Sequence, residues 1–308
     1  MIHITLFFIG LILLLLGLYI LKIGLDNIAT FNLKRIIAKF TSSTTKGCIT
    51  GTLITMFLQS SSAVSVITIG LVDTGLMTFR QALGIILGTN IGTTITGQIM
   101  AFKLEALGVP LTFLGLIFII LGKKLRPIGL NFCGLGFIFM GMNIMGMAFA
   151  FVMSNPLVKH LLILTTRSHF VAILFGIVFT AIIQSSSAMT GIVLVLAKNG
   201  HLDLITATAI ILGSNVGTCF TAVLASIGAS TGGKRVATAH VALNFLGVII
   251  LFPILEQFTT IMTLTSTNLP RQIAHTHTAF NVISSLAVLP FAGLFTRFII
   301  WLVPNTNG

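Results

Sequence analysis

Gln59-Ser60-Ser61-Ser62-Ala63 recurs letter for letter as Gln184-Ser185-Ser186-Ser187-Ala188. Each copy offers three hydroxyls that both donate and accept, and one amide that does the same. Neither copy carries a charge. About twenty-five residues beyond each lies a second polar island: Gly88-Thr89-Asn90-Ile91-Gly92-Thr93, then Gly213-Ser214-Asn215-Val216-Gly217-Thr218. Groups of this kind ligate an anion through N–H and O–H donors, or a hard cation through amide, hydroxyl and carbonyl oxygens.

The elements around these islands are membrane segments. Only 7% of the 308 residues are charged while 56% are hydrophobic, and the mean hydropathy is +1.11. A soluble domain carries roughly 25% charged residues, so this chain must face lipid. Seventeen Lys and Arg against five Asp and Glu leave a net charge of +12. These bases lie between apolar runs and form no basic helix of the nucleic-acid-binding kind, so no nucleic acid is expected as a partner. The first apolar run has no preceding base and no small-residue cleavage site, and reads as a retained first helix.

At about 20 residues per crossing, seven segments qualify: His3 to Leu21, Phe79 to Ala101, Leu107 to Leu121, Ile128 to Phe151, Leu204 to Ile227, Val236 to Leu255 and Ala274 to Ile300. Two further apolar stretches, 47–72 and 170–197, are interrupted at their centres by the pentapeptides. Polar groups at mid-membrane cannot face lipid, so these read as re-entrant hairpins whose tips face protein or a cavity.

Aligning Gly51–Met100 with Gly176–Ala225 at an offset of 125 gives 19 identities in 50 positions without a gap. Upstream, at an offset of 124, Gly10-Leu11 and Gly17 fall on Gly134-Leu135 and Gly141. Three crossings per copy make the second copy enter from the opposite side, an inverted repeat. The expected fold is an all-α polytopic membrane protein with two re-entrant helical hairpins and about seven crossings. Its halves are 1–125 and 126–260, followed by an extra C-terminal helix and tail over 261–308. Placing the Lys22–Lys46 loop inside puts twelve bases inside and five outside, with the N-terminus outside and the C-terminus inside.

A helix that starts just after the serines presents unpaired N–H groups, equivalent to roughly half a positive charge. Two such ends facing one cavity suit an anion. The glycines of the two polar islands should loosen their helices and open carbonyls for Na⁺. No base inside the apolar segments stands as a fixed counter-charge, so a multivalent anion would need accompanying cations.

The paired QSSSA hairpins, each followed by LGTNIGTT or LGSNVGTC, resemble the sodium-dependent phosphate cotransporter family. The resemblance runs from Phe8 to Phe298. A further family signature, similar to A-x-x-H-x-x-F-N, is echoed at Ala237 to Asn244, with Leu243 in place of Phe, and at Ala274 to Asn281. The resemblance implies sodium-coupled phosphate symport by alternating access in the cell membrane, with Na⁺ as the coupling ion and a homodimer as the assembly. It implies that Gln59 to Ser62 and Gln184 to Ser187 line the phosphate and sodium sites, and within that lining we assign phosphate contacts to Ser60, Ser61, Ser62, Ser185, Ser186 and Ser187. Sodium contacts fall to Gln59, Gln184, Thr89, Asn90, Thr93, Ser214, Asn215 and Thr218. His240 with Asn244, and His277 with Asn281, sit one helical turn apart and are read as supports through interhelical hydrogen bonds.

Other readings are weaker. A carrier of another small anion, a dicarboxylate or amino acid, would need a core Arg or Asp matched to it. An intramembrane Ser/His hydrolase would need the two residue types to converge. Gly228-Ala229-Ser230-Thr231-Gly232 fits a nucleophile-elbow pattern but lacks the strand before it. His275 and His277 have no nearby Cys or carboxylate to complete a metal site. Cys48, Cys133 and Cys219 are read as free thiols. The five acidic residues stand at segment ends as solvated charges.

Overall fold

The computed structural model describes residues 2–28, 41–102, 104–152 and 155–305, and every element among them is helical. The first half holds α1 (Ile2–Ile28), α2 (Thr44–Leu58), α3 (Ser61–Asp73), α4 (Phe79–Met100), a 3-10 turn (Glu105–Leu107) and α5 (Gly108–Ile120). The second holds α6 (Arg126–Val152), α7 (Pro156–Arg167), α8 (His169–Ile183), α9 (Ser186–Lys198) and α10 (Leu204–Ala225). Two bent rods close the chain. The first joins α11 (Thr231–Leu251), a 3-10 turn (Phe252–Ile254) and α12 (Leu255–Thr263); the second joins α13 (Leu269–Val288), a 3-10 turn (Leu289–Phe291) and α14 (Ala292–Leu302).

The duplication is carried into the helix bounds. Residues 44–58, 61–73 and 79–100 are helical, and so are 169–183, 186–198 and 204–225, each shifted by 125; α1 and α6 coincide at 124. The rods repeat as well, at an offset of 37, which superposes His240 on His277, Asn244 on Asn281 and Pro253 on Pro290. Each proline takes the second position of its 3-10 turn, where its missing N–H and ring bend the helix. The rods therefore run further than the expected Val236–Leu255 and Ala274–Ile300.

Glycine sets the closest approaches. α1 runs antiparallel to α6: Gly10 faces Gly141 and Met145, Gly17 faces Gly134 and Ile138, and Gly24 faces Asn131. A Cβ at Gly17 would lie 2.6 Å from Ile138 N and 2.7 Å from Gly134 O. α2 packs on α4, and α8 on α10, through the glycines of the polar islands. Here the structure corrects an expectation. Helix α4 continues unbroken through Gly88, Thr89 and Asn90, and α10 through Gly213, Ser214 and Asn215. Gly88 abuts the Cys48 carbonyl and Gly213 the Ile173 carbonyl, so these glycines remove side-chain bulk rather than loosen the backbone. No carbonyls are opened there.

Among the described residues, five helices are long and apolar enough to cross a membrane: Thr5–Leu25, Arg126–Phe149, Leu204–Ala225, Thr231–Thr263 and Leu269–Leu302. Phe79–Met100 with Glu105–Ile120, bent by 82°, makes a sixth if it is taken as one span. Among the described residues that gives five or six candidate spans by length and composition, beside the expected seven or so. The expected crossing from Leu107 to Leu121 has only thirteen residues in α5, roughly 20 Å of helix against a hydrocarbon core of about 30 Å. Helices α3, α8 and α9 are apolar but shorter still than a span.

Two apolar cores hold the helices. One gathers Leu14, Met145, Val193 and Ile211 from the α1, α6, α9 and α10 side; the other gathers Val64, Leu83, Ile86, Val236 and Ile299 around α3, α4, α11 and α14.

Candidate functional site

Both pentapeptides make the same two-residue turn. Helix α2 ends on Gln59 and α8 on Gln184, with φ of 51° and 56°. These are the only non-glycine residues with positive φ among those described. Left-handed backbone costs an L-residue roughly 1–2 kcal/mol, so its recurrence at matched positions points to a site. The Gln59 N–H closes its helix on Thr55 O at 2.8 Å, and that of Gln184 on Thr180 O at 2.7 Å.

The next residue starts the following helix. Ser60 Oγ accepts from Ala63 N, and Ser185 Oγ from Ala188 N, both at 3.2 Å. The helix starts therefore fall within the serine runs rather than after them. Ser60 and Ser185 cap, while Ser61, Ser62, Ser186 and Ser187 form the first turns, whose leading N–H groups lack a partner within the helix. A capping oxygen used as acceptor leaves its O–H free to donate.

The fold brings the two turns together. One small open cavity, of about 50 Å³, is lined by Gln59, Ser60, Ser61, Ser62 and Thr93 from the first half, and by Gln184, Ser185, Ser186, Ser187 and Thr218 from the second. A second, tight recess shares Ser61, Thr93, Ser186 and Thr218, and adds Asn90, Asn215 and His240. Among the described residues no Asp, Glu, Lys or Arg lines either. Two helix N-termini, hydroxyls and amides thus face one space with no fixed charge, an arrangement that can hold a small anion and hard cations together.

Two of the expected contacts stand behind this surface. Thr89 is fully buried and donates to Ile86 O at 2.8 Å, and Ser214 accepts from Thr180 Oγ1 at 2.8 Å. His240, Asn244 and His277 bond across helices, and Asn281 does not. His240 Nε2 meets Asn90 Oδ1 at 3.2 Å, and Asn244 Oδ1 accepts from Asn90 Nδ2 at 3.0 Å. His277 Nε2 meets Asn215 Oδ1 at 3.3 Å, while Asn281 Nδ2 donates back to His277 O at 2.9 Å. His277, Asn244 and Asn281 do not line the cavity; His277 braces Asn215 and Asn244 braces Asn90, while Asn281 bonds only within its own helix.

Sequence reading passed over Thr96, whose hydroxyl donates to Gln59 Oε1, along with Thr180, and Ser65, which meets His240 Nδ1 at 3.4 Å. For the threonines the signal was present: Thr96 matches Thr221, and Thr55 matches Thr180, among the identities of the duplicated segment. Three acidic residues also do more than meet solvent. Glu105 pairs with Lys198, Asp73 accepts the Ser230 N–H, and Asp203 caps α10 through Thr206 N. Asp26 lies outside the residues whose side chains are described. Ser230 itself caps α11 by accepting from Gly233 N at 3.4 Å, and His275 turns to Thr265. Among the described residues no three His, Cys, Asp or Glu side chains gather.

The sequence model of the Na⁺/Pi-cotransporter family matches residues 13–147 and 151–291. The Bacillus subtilis protein YqeW is 37% identical over 294 residues, covering 94% of both chains. A Salmonella typhimurium protein named for inorganic phosphate export, YjbB, is 25% identical over 284 residues, which are 92% of this chain but 52% of that one. The chain thus spans about half the length of YjbB. The sodium-dependent phosphate transport protein 2A of Ovis aries is 38% identical over 85 residues, 26% of this chain and 13% of the relative. No solved structure matches.

Proposed function

From a chain that belongs to the Na⁺/Pi-cotransporter family, and so to a family of transporters rather than enzymes, we infer a sodium-coupled symporter of inorganic phosphate that works by alternating access. The observation that carries this reading is the single cavity lined by both QSSS turns. Two helix N-termini and six serines supply donors for a tetrahedral oxyanion, assigned to Ser60, Ser61, Ser62, Ser185, Ser186 and Ser187. With no lysine or arginine in the lining, the charge of a bound phosphate must be offset by ions that travel with it. Oxygens of Gln59, Gln184, Thr93, Asn90, Asn215 and Thr218 suit Na⁺, with Thr89 and Ser214 supporting from behind.

The antiparallel pairing of α1 with its equivalent α6 supports an inverted repeat, and with it a midplane site reached alternately from either face. Arg235 at the start of α11 donates to Val303 O at 2.9 Å and to Asn305. That contact keeps the C-terminal segment beside bases that the positive-inside rule puts in the cytoplasm, which favours an outside N-terminus and an inside C-terminus.

Purified protein in liposomes, given labelled phosphate with and without an inward Na⁺ gradient, tests the proposal. Accumulation should require Na⁺. Equal uptake in Na⁺-free buffer would remove the coupling; carriage of a dicarboxylate or amino acid in place of phosphate would replace the substrate. The name of YjbB motivates a second reading, net export. Liposomes loaded with phosphate and Na⁺ should show efflux down a reversed gradient if the cycle runs both ways.

A further inference from the structure

The two His–Asn arms are equivalent in sequence but not in bonding. On α11, His240 holds both Ser65 Oγ and Asn90 Oδ1, while Asn244 accepts from Asn90 Nδ2 and donates to Cys219 Sγ at 3.3 Å. On α13, among the described residues, the His277 and Asn281 side chains reach another helix through one contact, His277 Nε2 to Asn215 Oδ1, although Thr278 and Ser285 tie the same helix to α4 through Gln98 and the Leu87 carbonyl. His277 Nδ1, Asn215 Nδ2 and Asn281 Oδ1 are buried without any partner. The tips differ in the same sense. Gln59 is half-buried and bonded to Thr96, whereas Gln184 is exposed.

A buried polar atom left unpaired costs roughly 1–3 kcal/mol, so the α13 arm is under tension. Its remedy is already drawn in the other half. Asn90 Nδ2 reaches Asn244 Oδ1; the corresponding donor and acceptor, Asn215 Nδ2 and Asn281 Oδ1, are the two amide atoms left bare. A short approach of α13 to α10 would join them.

We propose that the α11 and α13 arms are alternating latches. When one is fully bonded the other hangs by a single contact, and their exchange moves the opening of the cavity from the Gln184 end to the Gln59 end. Near-identical residues in both arms give the two states similar energies, as a carrier needs. The bonds lost on α11 are regained on α13. This rests on the transport reading, but the test below needs no transport.

Single cysteines replace Gln59 or Gln184, and the labelling rate of each is measured with a polar thiol reagent on detergent-purified, monodisperse protein. The buried native Cys48, Cys133 and Cys219 make the unsubstituted chain the blank. Gln184→Cys should react about fivefold faster than Gln59→Cys or more. Adding Asn244→Ala should bring that ratio towards one, whereas Asn281→Ala should leave it or widen it. A ratio unmoved by Asn244→Ala, or narrowed equally by both, overturns the latch. If Asn244→Ala does not give folded protein, Ser65→Ala loosens the same arm and must narrow the ratio. Flux in liposomes is read separately, so a failed latch and a failed transporter are distinguishable.

Discussion

Lys198 Nζ lies 2.6 Å from Glu105 Oε1, and the residues 125 positions away from them, Asp73 and Ser230, are also bonded, with Ser230 N donating to Asp73 Oδ1 at 2.5 Å. In each case the helix that leaves one QSSS turn is tied at its far end to the elbow of the other half. The side chains are unrelated, an ion pair against a carboxylate on a backbone N–H, yet the place in the fold is the same.

The ion pair should contribute little to stability. The Lys198 side chain is 47% exposed and that of Glu105 15%, so solvent screens their attraction. A double-mutant cycle on Lys198→Ala and Glu105→Ala should give a coupling of about 0.5 kcal/mol at low salt, fading towards zero near 1 M. A coupling above about 2 kcal/mol, or one indifferent to salt, would mean that the pair is desolvated.

Its counterpart should show in the acid limb of stability. The Ser230 N–H, and after it the Ser230 hydroxyl, hold the Asp73 carboxyl below the usual carboxylate range. A depressed folded pKa contributes stability above the unfolded value, about 3.9, and that contribution is lost as pH falls through the folded one. Between pH 7 and 3 the melting temperature of Asp73→Asn should therefore fall less steeply than that of the parent. Parallel curves would show that the contact adds nothing.

The pentapeptides were legible because four polar residues in an apolar stretch violate membrane composition, and because they occur twice. The behaviour of Gly88 and Gly213 was not, since a glycine in a helical run has the same letter whether it frees the backbone or admits a neighbour. Only the position of Cys48 and Ile173 decides between the two. The bounds of Leu107 to Leu121 were legible, since α5 runs from Gly108 to Ile120, but the 82° bend that sets it against Phe79–Met100 was not, because hydropathy carries no record of direction. Lys198 and Glu105, 93 positions apart, and the link from Asn90 to Asn244, 154 apart, became visible only with the fold.

Glycine substitutions separate packing from flexibility. If Gly88 and Gly213 exist for close approach, Gly88→Ala and Gly213→Ala force α4 from α2 and α10 from α8, and should each destabilise by about 2–4 kcal/mol or prevent folding. Gly70 in α3 has nothing within 4 Å of its missing Cβ, so Gly70→Ala should be neutral or stabilising by up to about 1 kcal/mol. Thermal melts of the purified variants give the comparison. Tolerance of alanine at Gly88 and Gly213 would restore the loosened-helix reading.

The division of ligands within the cavity predicts separable kinetic effects. Ser61 and Ser186 begin α3 and α9, are nearly buried, and line both recesses, so their hydroxyls are the donors best placed for an anion. Removing one donor to a charged group costs roughly 1.5–3 kcal/mol, so Ser61→Ala or Ser186→Ala should raise the half-saturating phosphate concentration about tenfold or more at fixed Na⁺. Gln184 has no side-chain tie comparable to that of Gln59 with Thr96, and its oxygen is open to a cation. Gln184→Ala should therefore abolish Na⁺-driven uptake in protein that still melts cooperatively, while Gln184→Glu, which keeps an oxygen there, should retain part of it. If Gln184→Ala transports at the parental rate, or if the serine variants change only the Na⁺ dependence, the assignment of serines to phosphate and amide oxygens to sodium fails.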